Sequence, residues 1–324
     1  MKISHSYDYQ STYRQSLQVN WQVDDIIGGE KTLNFRKPFL PEVWVDADAL
    51  DFLAAQEKLT VNHIRSHSYL YLFGFVEEFI VPFVVEHVQG RIHTAAPQEL
   101  RSLLHFAEEE VKHIQLFQRF CQEFRRGFRS TCDVLGSPEV VAAAILSKSP
   151  LGAALSILHI EWMTLLHYVS SVRDSVDIDP QFSSLLRHHW LEESQHAKLD
   201  TLIVEAIAEQ LSEREIQEGI DDYLAIGGML DGGLMQQMEM DLASFTRATG
   251  RSLSEDEAKR YREVQQRSYR KTFLTSGMRH GKFQSILTAI SPEGAKKVSE
   301  VASILVPHGE HEHGGARPPW TRAS

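Results

Sequence analysis

Twice in this chain a glutamate is followed three residues later by a histidine inside a long helix-forming stretch, and that pairing narrows the choice of interior more than any other feature. The stretches are FAEEEVKHIQLF, with Glu110 and His113, and HHWLEESQH, with Glu193 and His196. On an α-helix a step of three sets both side chains on one stripe. His189, one turn before Glu193, extends the second stripe to imidazole, carboxylate, imidazole. That is a ligand set for a divalent metal. With 44 acidic residues and 16 histidines in 324, one or two such steps are expected by chance. A third, Glu310 with His313, falls in an aperiodic C-terminal end where nothing would hold it against a partner.

The rest of the pattern predicts what those helices pack against. A first helical stretch is expected from about Asp48 to Val88, a second from Pro97 to near Gly127, a short one from Pro138, a third long one from Pro150 to about Ser175, and a fourth from Pro180 to Leu211. Proline suits the first turn, and Arg125 with Arg126 suits a helix C-terminus. Ser212 with Glu215 and Ser254 with Glu257 have capping-box spacing and open two later helices, and another opens at Ser291-Pro292. The glycine pairs 227-228 and 232-233 suggest a kink or a close helix contact. No strand pattern emerges. The expected organisation is an N-terminal arm over 1–45, a helical domain over 46–305 with its core bundle at about 48–211 and additional helices at 212–305, and a mobile His-rich tail over 306–324.

Placed on the four long helices, the acids and histidines read Glu, Glu-x-x-His, Glu, Glu-x-x-His: Glu77-Glu78 on the first, Glu110 and His113 on the second, Glu161 on the third, Glu193 and His196 on the fourth. This is the ligand pattern of carboxylate-bridged di-iron and di-manganese bundles, so the fold class expected is all-α, a ferritin-like four-helix bundle core with additional C-terminal helices. Two divalent ions close together need bridging anions to offset their repulsion, and four glutamates supply them. Glu161 and Glu193 are 32 residues apart, as are Glu78 and Glu110. That equality suggests two similar hairpins about a pseudo-twofold axis and favours Glu78 over Glu77 as the first ligand. A buried Glu161 between Ile160 and Trp162 needs an explanation, and no basic residue lies near it in sequence for a salt bridge. His159, His167, His63, His67 and His87 read as structural, and His188 as solvated or capping.

The HxxxExxH arrangement of His189, Glu193 and His196 resembles the p-aminobenzoate N-oxygenase (AurF-like) family of di-iron arylamine oxygenases, in which the fourth core helix adds such a histidine to one iron. The resemblance covers about residues 60–210. It implies the ligands Glu78 (or Glu77), Glu110, His113, Glu161, His189, Glu193 and His196, two iron ions with manganese as the alternative, and O2 as co-substrate. It also implies an external electron donor and a small-molecule substrate, an arylamine by the family's chemistry. The residue before the last histidine departs from the pattern, Gln195 standing where a small or basic residue is usual, which bears on substrate choice. Two other readings stand beside it: oxidation of a C–H bond in an apolar or carrier-bound substrate, and a metal-binding bundle without turnover. Phe73, Phe75, Phe79, Phe106, Trp162 and Met163 surround the ligands in sequence as pocket or core, and Thr164 reads as a core threonine bonded to its own helix.

Composition removes other classes. A formal charge of -11, with no gathering of lysine and arginine, argues against a nucleic-acid partner. Cys121 and Cys132 are too few for a disulfide framework, and the N-terminal sequence lacks a signal-type apolar core, so a cytoplasmic location is the expectation. Residues 69–87 are nearly long enough to span a bilayer but carry Glu77 and Glu78 centrally, which predicts a buried helix and no membrane partner. A homodimer is compatible with the chain.

Overall fold

Pro97, Pro150 and Pro180 each stand at the first position of a long helix, where the fixed φ suits entry and the missing N–H would have had no partner. The computed structural model describes residues 5–306. Among these the helices are α1 Tyr9–Ser16, α2 Val23–Ile26, α3 Glu42–Val45, α4 Ala55–Arg91, α5 Pro97–Gly127, α6 Pro138–Leu146, α7 Pro150–His167, α8 Pro180–Ala208, α9 Glu213–Thr249, α10 Glu255–Arg270, α11 Ser276–Met278, α12 Gly281–Ile290 and α13 Pro292–Leu305. The described residues hold no β-strand, only an isolated antiparallel bridge between Gly28 and Lys31. Short π-helical turns, Tyr168–Val172 and Lys271–Thr275, follow α7 and α10.

The bundle core is two helical hairpins. α4 packs along α5 and α7 along α8. In the first, Arg91 pairs with Glu99 near the connecting turn, while Gly74 lies against Phe117 much further along both helices, so the two run antiparallel. α4 begins seven residues later than its periodicity suggests. Asp46 takes a left-handed conformation (φ 56°) that ends α3, and Ala47–Ala49 forms a separate 3₁₀ turn. Glu57 then accepts a hydrogen bond from the Ala54 N–H at 2.8 Å, closing the helix start. α4 is long and apolar enough to cross a membrane, but 61% of its most apolar window is buried within the fold.

The later helices cover the bundle on one side. Ser212 caps α9, Ser254 caps α10 and Ser291 caps α13, each hydroxyl accepting from the backbone three residues on. α9 packs against α7 and α4. Its close approach is not at the glycine pairs: a Cβ on Gly228 or Gly232 would meet nothing within 4 Å. The tight point is Gly219 against Leu151, with Gly152 of α7 facing Asp222 and the Gly219 carbonyl.

The N-terminal segment is tied to the bundle by buried polar contacts. Asn62 of α4 accepts from the Phe39 and Leu40 N–H groups at 2.8 and 3.2 Å and donates to the Leu40 carbonyl at 2.8 Å. Asp179, the N-cap of α8, accepts from the Asn34 N–H. α1 lies over α5 and α8. The tail motif Glu310 with His313, and the His-rich tail from residue 307, lie outside the described residues.

Candidate metal centre

Each core helix turns one carboxylate inward at the same level. Glu77 on α4, Glu110 on α5, Glu161 on α7 and Glu193 on α8 are all at most 1% exposed, as are His113, His189 and His196. His113 Nδ1 lies 3.1 Å from Glu193 Oε1 and 3.5 Å from Glu110 Oε2. His196 Nδ1 lies 2.8 Å from Glu110 Oε1 and 3.1 Å from Glu193 Oε2. His189 Nε2 approaches Glu193 Oε1 at 2.6 Å and Glu77 Oε1 at 3.1 Å. Two groups of donors able to hold an ion emerge, Glu77, His113, His189 and Glu193, and Glu110, His113, Glu193 and His196, which overlap at His113 and Glu193. Glu161 is brought to the same place, close enough to Glu193 for the two carboxyls to act on each other's charge.

Glu78 is not in this cluster. It lines an open cavity of about 290 Å³ between α4 and α5, with Tyr71, Gly74, Phe117 and Arg125. A residue step turns a helix by about 100°, so only one of the adjacent acids can face the centre. Glu77 shares the inward stripe with Phe73, Ile80 and Val84, all buried. The equal spacing that favours Glu78 is thus off by one residue, because the two hairpins do not repeat in strict register.

The sequence pattern is also longer than Glu-x-x-His. Both motifs are Glu-Glu-x-x-His, and the first glutamate of each reaches across to the other's histidine. Glu192 Oε2 is 2.9 Å from His113 Nε2, and Glu109 Oε2 is 3.1 Å from His196 Nε2. A carboxylate on the outer nitrogen fixes the ring and leaves Nδ1 facing the centre. Glu109 is itself held by Ser16 Oγ at 2.6 Å, and Glu192 by Lys112. Trp21 stacks on His113 with ring centroids 6.1 Å apart. The doubled glutamate is visible in both motifs; the crossing is not.

Electrostatics shows how much charge is crowded here. Burial and then Glu110 push the Glu77 carboxyl well above the carboxylate range, and burial and then Glu193 do the same to Glu161. Burial opposes charge at Glu110 as well, but the His196 imidazolium leads a set of contacts that bring it down to about 2. Burial disfavours charged His113 and His196, yet Glu193 and its neighbours raise both well above the imidazole range. His189 is lowered, mainly by burial, and so is neutral. Among the described residues no lysine or arginine enters the centre. Both Glu110 oxygens, Glu77 Oε2, Glu161 Oε2, Glu193 Oε1 and His113 Nδ1 are buried without a hydrogen-bond partner; the short contacts of Glu110 and His113 Nδ1 lie at angles unsuited to hydrogen bonding. Hard and borderline donors converging on one point with unused lone pairs fit a pair of divalent cations.

The other histidines sit elsewhere. His159 meets Tyr223 Oη at 2.8 Å and the Phe273 carbonyl, and His167 meets Ser276. His188 is bonded to the Ser184 carbonyl of its own helix. Thr164 Oγ1 is buried without a partner, so it does not bond its helix as expected. Phe73, Phe75 and Met163 line an apolar cavity of about 50 Å³ with Leu72, Val76 and Ile160. Phe106 packs on His196 and Trp162 on His280. Gln195 turns away to accept from Lys198.

No family model matches the chain, and no curated protein matches it in sequence. Its fold is similar to two solved tyrosine-to-phenylalanine variants of an R2-like ligand-binding oxidase, each with an anaerobically reconstituted Mn/Fe cofactor. Each aligns at 13% identity with a TM-score of 0.50, covering 86% of this chain and 95% and 96% of the other. At that identity the likeness establishes the fold, an all-α ferritin-like helical bundle.

Proposed function

We propose that this chain is an O2-dependent oxygenase built on a dinuclear centre of iron, or of iron and manganese, held by Glu77, Glu110, His113, Glu161, His189, Glu193 and His196. The observation that carries the reading is the convergence of four buried glutamates and three histidines from four helices, with unused donor atoms and, among the described residues, no lysine or arginine between them. The Mn/Fe cofactors of the structural neighbours point the same way. Such a pair, when bound, supplies electrons to O2 for oxidation of a substrate. The chain's part is to hold the ions, orient His113 and His196 through Glu192 and Glu109, and keep bulk water out. An external reductant supplies the electrons.

For the substrate, the HxxxExxH arrangement supports oxidation of an arylamine nitrogen. The wholly apolar cavity bounded by Val76 and Ile160, the neighbours of Glu77 and Glu161, supports a second reading, oxidation of a C–H bond in an apolar group. The test is to load the protein anaerobically with Fe(II), add reductant and O2, and offer an arylamine and an alkyl substrate in parallel. About two ions per chain, O2 uptake and one added oxygen in one product by mass spectrometry are expected. Accumulation of many irons per chain without product would overturn the reading in favour of storage.

A further inference from the structure

The open cavity between α4 and α5 is a groove lined by two stripes. Leu70, Gly74 and Glu78 stand at steps of four on α4, and Phe117, Cys121 and Arg125 at steps of four on α5. The middle member of each stripe, Gly74 or Cys121, is small, which opens the space. Leu70 and Phe117 are fully buried at its wall, while Gln118, Gln122 and Arg125 are exposed at its rim. An apolar wall with a few polar groups is the usual make-up of a small-molecule site. The segment leading into α6 adds Pro138 to the lining and is tied to α4 by Tyr71 Oη, which donates to the Leu135 carbonyl.

An aromatic wall stands between this groove and the centre. Phe117 lines the groove, and its ring meets His189 edge-on with centroids 5.0 Å apart. Gly74 lets that ring sit close to α4, since a Cβ there would come within 3.2 Å of Phe117 Cβ. Phe73 stacks on Phe117 at 5.6 Å and meets His189 at 5.8 Å, but it lines the apolar cavity beside α7 and α9 instead. Volume decides which of the two cavities can receive a substrate. Benzene occupies a cavity of about 150 Å³. The apolar cavity, at about 50 Å³, is too small for an aromatic ring, and the groove, at about 290 Å³, holds one with its substituents.

We propose that this groove is the substrate chamber of the centre, taking a small aromatic molecule against Leu70 and Phe117, and that Phe117 is the gate ring between the molecule and His189. The proposal rests on the oxygenase reading above and places its substrate, an aromatic compound in the groove in preference to an alkyl group in the apolar cavity. Reaction requires the Phe117 ring to turn aside, a rotamer change of the kind that packed interiors allow. With the ring in place the centre is closed to the groove and to the water that fills its mouth.

The experiment uses the full-length protein and 4-bromoaniline, whose bromine marks its position by anomalous scattering. Soaked crystals should place the bromine in the groove, in contact with Phe117. In solution, calorimetry should show binding to the metal-free wild type that weakens by about tenfold, ~1.4 kcal/mol, in Cys121→Phe, which fills the groove. Gln118→Trp, at an exposed position of the rim where the fold is not at stake, should weaken it likewise. Phe117→Leu, given iron, reductant and O2 and compared at equal metal content, should consume about threefold more O2 per product than the wild type, because water then reaches the centre. Bromine in the apolar cavity alone, binding in crystals but not in solution, or undiminished binding in Gln118→Trp while product still forms overturns the chamber and not the oxygenase reading. An unchanged ratio of O2 to product in Phe117→Leu overturns the gate. Bromine in the groove with no product from any arylamine overturns the oxygenase reading, and with it the groove's role as its chamber.

Discussion

Glu77 and Glu78 are chemically identical neighbours, and their fates differ because one helical step separates the inside of the bundle from a surface cavity. The assignment has a direct consequence. Glu77→Ala should lower bound metal from about two ions per chain to one or fewer, since the pattern takes one such glutamate from α4, while Glu78→Ala should leave it unchanged. Metal analysis of the two purified variants decides it; the opposite result would return the ligand to Glu78. The neighbouring Glu109 and Glu192 are equally hard to classify from sequence alone, since an acid beside a ligand can face solvent or a partner. Here each supports the histidine of the opposite motif.

Among the helices, the contact between α7 and α9 depends on two glycines that periodicity does not single out. A Cβ at Gly152 would lie 2.7 Å from Asp222 Cβ and 3.1 Å from the Gly219 carbonyl, and backbone cannot yield as a flexible side chain can. Gly152→Ala should therefore lower the thermal midpoint, with a loss of about 1–3 kcal/mol, the range for overpacking a tight contact. Gly228→Ala, where nothing lies within 4 Å, should not lower it. Equal midpoints would show that α9 shifts freely along α7. The helix ends themselves were largely legible: the prolines opening α5, α7 and α8 and the serine caps of α9, α10 and α13 act locally, through a fixed φ or an N–H three residues away. The start of α4 was not, because the left-handed Asp46 that precedes it has no such sequence mark.

The folded chain as a whole buries an unusual set of imidazoles, and its stability should follow pH accordingly. Burial lowers His63, His67, His159 and His280 to about 4, and His167 to about 3. Unfolded histidines titrate near about 6.5. Below that value the unfolded chain binds more protons than the native one, so stability is lost as pH falls from about 6.5 toward 4. Asp241 acts in the opposite sense: burial raises it to about 7, opposed by Arg65, so its contribution is lost as pH rises from about 4 to 7. Glu42, raised by burial to about 7, and Glu77 and Glu161, raised further, act as Asp241 does, so the histidine contribution is read by difference: between pH 6.5 and 4.5 the midpoint of the wild type should fall further than that of a variant carrying His63→Gln and His67→Gln. An equal fall in the two metal-free proteins would contradict this assignment of buried neutral rings.

The helical class, the hairpin order and the inward stripes of Glu110 with His113 and of His189 with Glu193 and His196 were readable from residue order, since each depends on interactions three or four positions apart along one chain segment. Which of two adjacent acids faces inward, which carboxylate crosses to which histidine, and where the apolar cavity lies were set by the packing of separate helices. A helix carries its own side-chain periodicity, but its rotation and height against a neighbour are fixed by close contacts such as Gly74 with Phe117 and Gly152 with Gly219, which join residues far apart in sequence.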